Sequence, residues 1–199
     1  MHMPSLTPMD AEAVAARSGG RHILVQALPA SRRDTLATFD ACAAALSNLS
    51  VPLRAELNPP LWELGHIGWF QEFWLARNPA WRAGHAADPA APRRPGPREN
   101  ADALYNSSEV PHDSRWALPL PDAATTRAEL AAQLQATLAL LQHADARDEH
   151  DDTLYFFRLA LLHEDMHHEA ALYMAQGLGI PIDDARWQPR ALPAPASAG

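Results

Sequence analysis

The sequence predicts an all-α fold: four principal helices in a bundle around one core, with a long proline-rich crossover between the second and third. Apolar residues recur at three- and four-residue spacing in separate stretches, the period of a helix face. No run alternates apolar and polar residues for long enough to build a sheet, and there is no internal repeat. Eight prolines between Pro79 and Pro121 interrupt any helical period across that stretch, which therefore reads as a connection.

Thr7 and Pro8 read as the N-cap and first residue of a short helix ending near Ser18, Gly19 and Gly20. A second stretch, from Arg21 to Leu28, is expected to stop at Pro29. From Ser31 to Leu49, the residues Leu36, Phe39, Ala43 and Leu46 form an amphipathic stripe, with Arg32, Arg33, Asp34 and Asp40 largely off it. Asn58 is the expected cap of the next helix, followed by Pro59 and Pro60 where a missing N–H does no harm. That helix, running to about Pro79, is apolar on most sides and belongs at the centre. Gly65 and Gly68 each cost it roughly 1 kcal/mol against alanine, which points to close approach of a neighbour.

Within the crossover, Ala86 to Pro97 is expected to be a flexible tip and Arg93, Arg94 and Arg98 a solvated turn, whereas Leu104 to Trp116 can pack. Asp122 and Thr125 cap a helix carrying Leu130, Leu134, Leu138 and Leu141. A charged segment, Asp145 to Asp151, separates it from a last helix of about Asp152 to Leu178, closed by Gly179 with Pro181 beyond. The expected organisation is an N-terminal extension with short helices over 1–29, the bundle over 30–181 and a Pro/Ala-rich tail or linker over 182–199.

The length of 199 residues suits one folded domain. Acidic residues outnumber basic ones, 24 to 16, and all the basic ones are arginine; the net charge of -8 argues against nucleic acid as a partner. The single cysteine, Cys42, excludes an internal disulfide framework and a multi-cysteine metal cluster, which fits a reducing cytoplasm. No secretory signal is evident and no apolar run approaches the ~20 residues of a membrane span, so the expectation is a soluble cytoplasmic protein without membrane contact.

Chemistry concentrates in the last helix. His163 and His167, four residues apart, share a face with Phe156, Ala160, Ala170 and Met174 and can grip one cation between them. His66 sits among Trp62, Trp69, Phe70 and Phe73; alone it reads as a structural core histidine, but with the pair it completes a three-histidine site that leaves coordination positions open for oxygen, water or a thiolate. Glu63, Glu164, Asp165 and Glu169 either orient these imidazoles or are ordinary helix-surface carboxylates, and His168 is expected to stand behind the ligands or in solvent. His163-Glu164-x-x-His167 also satisfies the zinc-protease pattern, with Glu164 as general base and Asp183 or Asp184 as third ligand, although the extended third-histidine motif is missing. Of the other histidines, His2, His22, His85, His143 and His150 read as solvent residues, and His112 is placed where its segment can fold over the bundle mouth.

Three strings, Asn58-Pro59-Pro60-Leu61-Trp62-Glu63-Leu64-Gly65-His66-Ile67-Gly68-Trp69-Phe70, Leu104-Tyr105-Asn106-Ser107-Ser108 and His163-Glu164-Asp165-Met166-His167, occur in an order that resembles the N-terminal DinB-like domain of the ergothioneine-type sulfoxide synthases, and most closely the selenium branch, the selenoneine synthases. The resemblance extends from about Ser31 to Ile180. It implies a DinB-like four-helix bundle that binds Fe(2+) through His66, His163 and His167, in an oxidoreductase that uses dioxygen to join a thiol or selenosugar donor to hercynine. The family's second domain, similar to formylglycine-generating enzymes and bearing an active-site tyrosine, has no counterpart in these residues. The chain is therefore expected to be a fragment, split subunit or truncated paralogue that needs a separate catalytic domain or chain. Two readings stand beside this one. A stand-alone metal-dependent thiol transferase or hydrolase of the DinB superfamily would use Zn(2+) or another divalent ion, and a metal-free bundle would act as an interaction module, for which the tryptophan-rich residues 62 to 81 offer a surface.

Overall fold

The computed structural model describes residues 14–143 and 151–184. The expected helix headed by Thr7 and Pro8, most of the charged segment before Asp151, and the tail beyond Asp184 lie outside these residues. Among the described residues there is no strand. Among the described residues four long helices carry the fold: α1 (Arg21–Ala45), α2 (Pro60–Trp74), then, after the five-residue α3 (Ala101–Tyr105), α4 (Ala123–His143) and α5 (Asp151–Gly177). Helix α1 packs chiefly on α5, and α2 on α4 and α5.

Helix α1 runs straight through Pro29, where the sequence reading placed a stop. The reason is a buried stripe that ignores the proline: Leu24, Leu28, Arg32, Thr35, Phe39 and Cys42 follow at spacings of three and four. Pro29 leaves the carbonyl of Val25 without its helical partner, but Val25 is on an exposed side, where water can substitute. The same stripe corrects a second expectation, because Arg32 lies on it and is only 3% exposed. The helix ends at Ala45 rather than Leu49, and residues Ser47–Leu49 form a separate 3-10 turn with positive φ at Asn48 and Leu49.

Helix α2 is central, as its sequence predicts: every residue from Trp62 to Trp69 is buried. Asn58 is not its cap. The N-cap position is Pro59, and the Asn58 amide instead donates to Glu63 Oε1 (2.5 Å) while its Oδ1 accepts from Arg115 (2.8 Å). The two helix glycines serve close approach, since a Cβ on Gly65 would strike the Tyr105 ring and one on Gly68 the Gln133 amide oxygen.

The crossover does not contain the expected free tip. Arg93 lies over Phe73 (4.6 Å) and Trp74 (4.8 Å), and the Arg94 N–H donates to the Arg77 carbonyl (2.8 Å), so this stretch folds back along α2. Arg98 pairs with Glu129 of α4. The arginine cluster thus fastens the crossover rather than forming a solvated turn. Leu104, Tyr105 and Val110 are buried, in agreement with the prediction that their segment packs.

Helix α4 begins as predicted, with Asp122 Oδ1 accepting the Thr125 N–H (2.7 Å), and it buries Leu130, Leu134 and Leu141. Helix α5 ends in a left-handed Gly179 (φ 70), where the Ile180 N–H reaches back to the Ala175 carbonyl (2.8 Å). No helix of the described residues is long and apolar enough to cross a membrane.

Candidate metal centre

Two helices supply the centre. His66 comes from the buried α2, and His163 and His167 come from successive turns of α5, which the helical period places on the face that meets α2. One ligand atom from each lies within 4.8 Å of the others, and among the described residues this is the group of histidine, cysteine and carboxylate side chains that converges closely enough to hold one ion. The ring centroids of His66 lie 5.0 Å from His163 and 4.8 Å from His167.

Each imidazole is oriented differently. His66 Nδ1 lies 2.8 Å from the Tyr105 carbonyl, which can only accept, so Nδ1 carries the hydrogen and Nε2 keeps its lone pair. His167 Nδ1 donates to Glu63 Oε2 (2.5 Å), leaving its Nε2 lone pair facing His163 Nε2 at 3.1 Å. His163 has no such anchor, and its buried Nδ1 has no hydrogen-bond partner. Phe70 sets its plane instead, stacked with centroids 3.5 Å apart and rings within 4° of parallel. Trp62 stacks on His66 in the same manner (4.7 Å, 9°) and carries Arg115 on its ring, 3.9 Å from the centroid.

Burial, with a smaller contribution from His167, pulls His66 down to about 4. Burial and the two neighbouring imidazoles pull His163 down to about 2. Near neutral pH both rings are therefore uncharged and offer lone pairs. Neutral nitrogen donors crowded together, one of them with an unsatisfied buried atom, are suited to a divalent transition ion.

The carboxylates divide sharply. Glu63 does orient an imidazole. Glu164 does not: it forms a buried ion pair with Arg32 (2.6 Å and 3.1 Å), which removes it from any role as a protease base. Asp165 accepts from the Ser31 hydroxyl (2.5 Å), and Glu169 is exposed. Asp183 and Asp184 are not part of the cluster. His168 is neither behind the ligands nor in solvent; it is buried on α1 with Nε2 at 2.9 Å from the Thr38 hydroxyl. His112 donates to the Leu57 carbonyl (2.8 Å), and its segment reaches the centre's flank through Arg115 rather than through the histidine. His22, His85 and His143 are exposed, and His2 and His150 lie outside the described residues.

Sequence reasoning missed Tyr105 and Phe70 as supports of the centre. A backbone carbonyl leaves no trace in residue type, so Tyr105 had no signal. Phe70 did, because it stands four residues after His66 on the same helix face.

Fold and cluster together define a helical-bundle domain with a three-histidine centre. The DinB superfamily profile matches residues 27–171, and the chain belongs to that superfamily. It is also similar to hercynine oxygenases. That of Mycolicibacterium thermoresistibile is 34% identical over 150 residues, 75% of this chain and 30% of the relative. That of Mycolicibacterium smegmatis is 31% identical over 175 residues, 83% of this chain and 37% of the relative. The chain thus spans about a third of the length of these curated relatives.

Proposed function

We propose that this chain is the metal-binding domain of an ergothioneine- or selenoneine-synthase-type enzyme, with ferrous iron held by His66, His163 and His167. The observation that carries the reading is the meeting of these imidazoles from α2 and α5 within 4.8 Å. Bound iron would supply the redox chemistry by which dioxygen drives formation of a C–S or C–Se bond between hercynine and a thiol or selenosugar donor. The chain's own residues do the rest of what falls to this domain. The Tyr105 carbonyl and Glu63 hold two rings in the tautomer that presents a lone pair to the centre. Trp62 and Phe70 cover ring faces and exclude water. A second domain, similar to formylglycine-generating enzymes, contributes the remaining substrate contacts.

Metal analysis of anaerobically purified protein tests this. The expected result is one ferrous ion per chain in the parent, and at least tenfold less in each of His66→Ala, His163→Ala and His167→Ala, with the helical circular-dichroism signal retained. Tight zinc with thiol-dependent transfer would assign the centre to a stand-alone transferase or hydrolase. Thermal stability unchanged by any divalent ion would leave an interaction module. Turnover of hercynine by the 199-residue chain alone would remove the need for a second domain.

Glu63 gives a further prediction. Glu63→Ala frees the His167 ring and removes the carboxylate that holds it, so metal affinity should fall about 10–100-fold. Competition with a chromophoric chelator measures it, and an unchanged affinity would show that His167 needs no orienting partner.

A further inference from the structure

A cavity of about 40 Å³ lies between α1, α2 and α5, and both His167 and the Glu63 that orients it belong to its wall. It sits where three apolar clusters of the core meet without merging, one around Phe39 and Leu64, one around Cys42 and Ala175 and one around Val51 and Met174. Protein interiors normally pack so closely that few such gaps survive. A single water needs about 10–15 Å³, so there is room here for a molecule of two or three heavy atoms.

Chemistry selects the occupant. The surface of the cavity is almost wholly apolar, and none of its lining residues is exposed. The polar groups in the wall are engaged or covered. The Thr38 hydroxyl is bonded to His168 Nε2 (2.9 Å), Glu63 accepts from the Asn58 amide and from His167 (both 2.5 Å), and the Thr35 hydroxyl is closed over by protein atoms. A trapped water needs about two to four polar partners, whereas an apolar guest such as xenon needs none. A small uncharged gas leaves water for such surroundings by the same effect that buries an apolar side chain. We propose that this cavity is a binding site for dioxygen, held as an apolar gas against the His167 side of the centre. Binding depends on the cavity alone; its use as a dioxygen supply rests on the reading of the centre as ferrous iron.

Dioxygen is paramagnetic, so methyl groups beside it relax faster. The metal-free full chain, carrying carbon-13 in its methyl groups, is compared under dioxygen and under nitrogen at equal pressure. The methyls of Leu64, Ile67, Ala171 and Met174 should gain at least about threefold more relaxation than those of Leu24 and Leu28, which are buried in another part of the core. Xenon should shift the signals of the same four residues. Ala171→Leu, at a half-buried position in the wall, should remove both effects, and Val51→Ile, which adds one methylene, should reduce them. Relaxation no greater at the wall than at Leu24 and Leu28, no xenon shifts at the wall, or effects that survive Ala171→Leu would each overturn the proposal. If Ala171→Leu does not fold, Val51→Ile decides the matter. These measurements are made without iron, so failure of the histidines to bind it leaves a positive result standing, and an absent gas site leaves the histidine centre untouched. In iron-loaded protein at limiting dioxygen, Ala171→Leu should slow oxidation of the ferrous ion without lowering iron content, and an unchanged rate would overturn the supply role.

Discussion

Glu164→Leu should destabilise the bundle by about 3–5 kcal/mol, the usual cost of stripping one partner from a buried ion pair. The Arg32 side chain is 4% exposed and that of Glu164 2%, so water cannot replace the lost carboxylate. More than a pair is at stake. The same guanidinium donates to the Leu130 carbonyl (2.8 Å) and to Gln71 Oε1 (2.8 Å), so α1, α2, α4 and α5 all meet on one side chain. Urea denaturation followed by tryptophan fluorescence gives the loss directly. The double variant Arg32→Met with Glu164→Leu should recover most of it, because no charge is then left buried alone. Metal content per folded chain should not change, since the Glu164 carboxylate bonds to Arg32 and not to the three histidines. A loss below about 1 kcal/mol would mean that the pair is hydrated in solution.

Acid should destabilise the metal-free protein from about pH 6.5 downward. His66 takes its proton near pH 6.5 when unfolded and only at about 4 when folded. A histidine held neutral in this way contributes stability that is present above pH 6.5 and is lost as the pH falls towards the folded value. A shift of this size corresponds to about 3 kcal/mol. His163, lowered further, adds a loss of the same sign that continues below pH 4. Glu72 and Asp165 act oppositely, because burial raises both, and their protonation offsets part of the loss. Denaturation of metal-free protein between pH 7.5 and 5 should therefore show a steady decline, and His66→Asn should flatten it. A flat profile in the parent would show that His66 is solvated when the metal is absent.

Much of the scaffold was legible in advance. Helix α4 and its Asp122 cap, the glycine closure of α5 and the central place of α2 follow from local rules, in which a residue's neighbours in sequence are also its neighbours in space. The misreadings share one cause. Pro29 looked like a stop because local propensity disfavours it, and packing of Leu24 and Leu28 overrode that cost. Arg32 and Arg93 looked solvated because charge usually is, and each found a specific partner brought from far along the chain.

The amino-acid order by itself determined that the chain is helical, where α4 and α5 begin and end, and that His163 and His167 share a face. Those properties depend on backbone sterics and a 3.6-residue period, which act over a few positions. Only the tertiary structure decided that His66 meets the pair, that Tyr105 and Glu63 aim two of the rings, and that Glu164 serves Arg32 instead of the centre. The partners in those contacts are 39 to 132 residues apart, and a hydrogen bond or stacked ring over such a separation exists only once burial of the whole core has fixed the helices against one another.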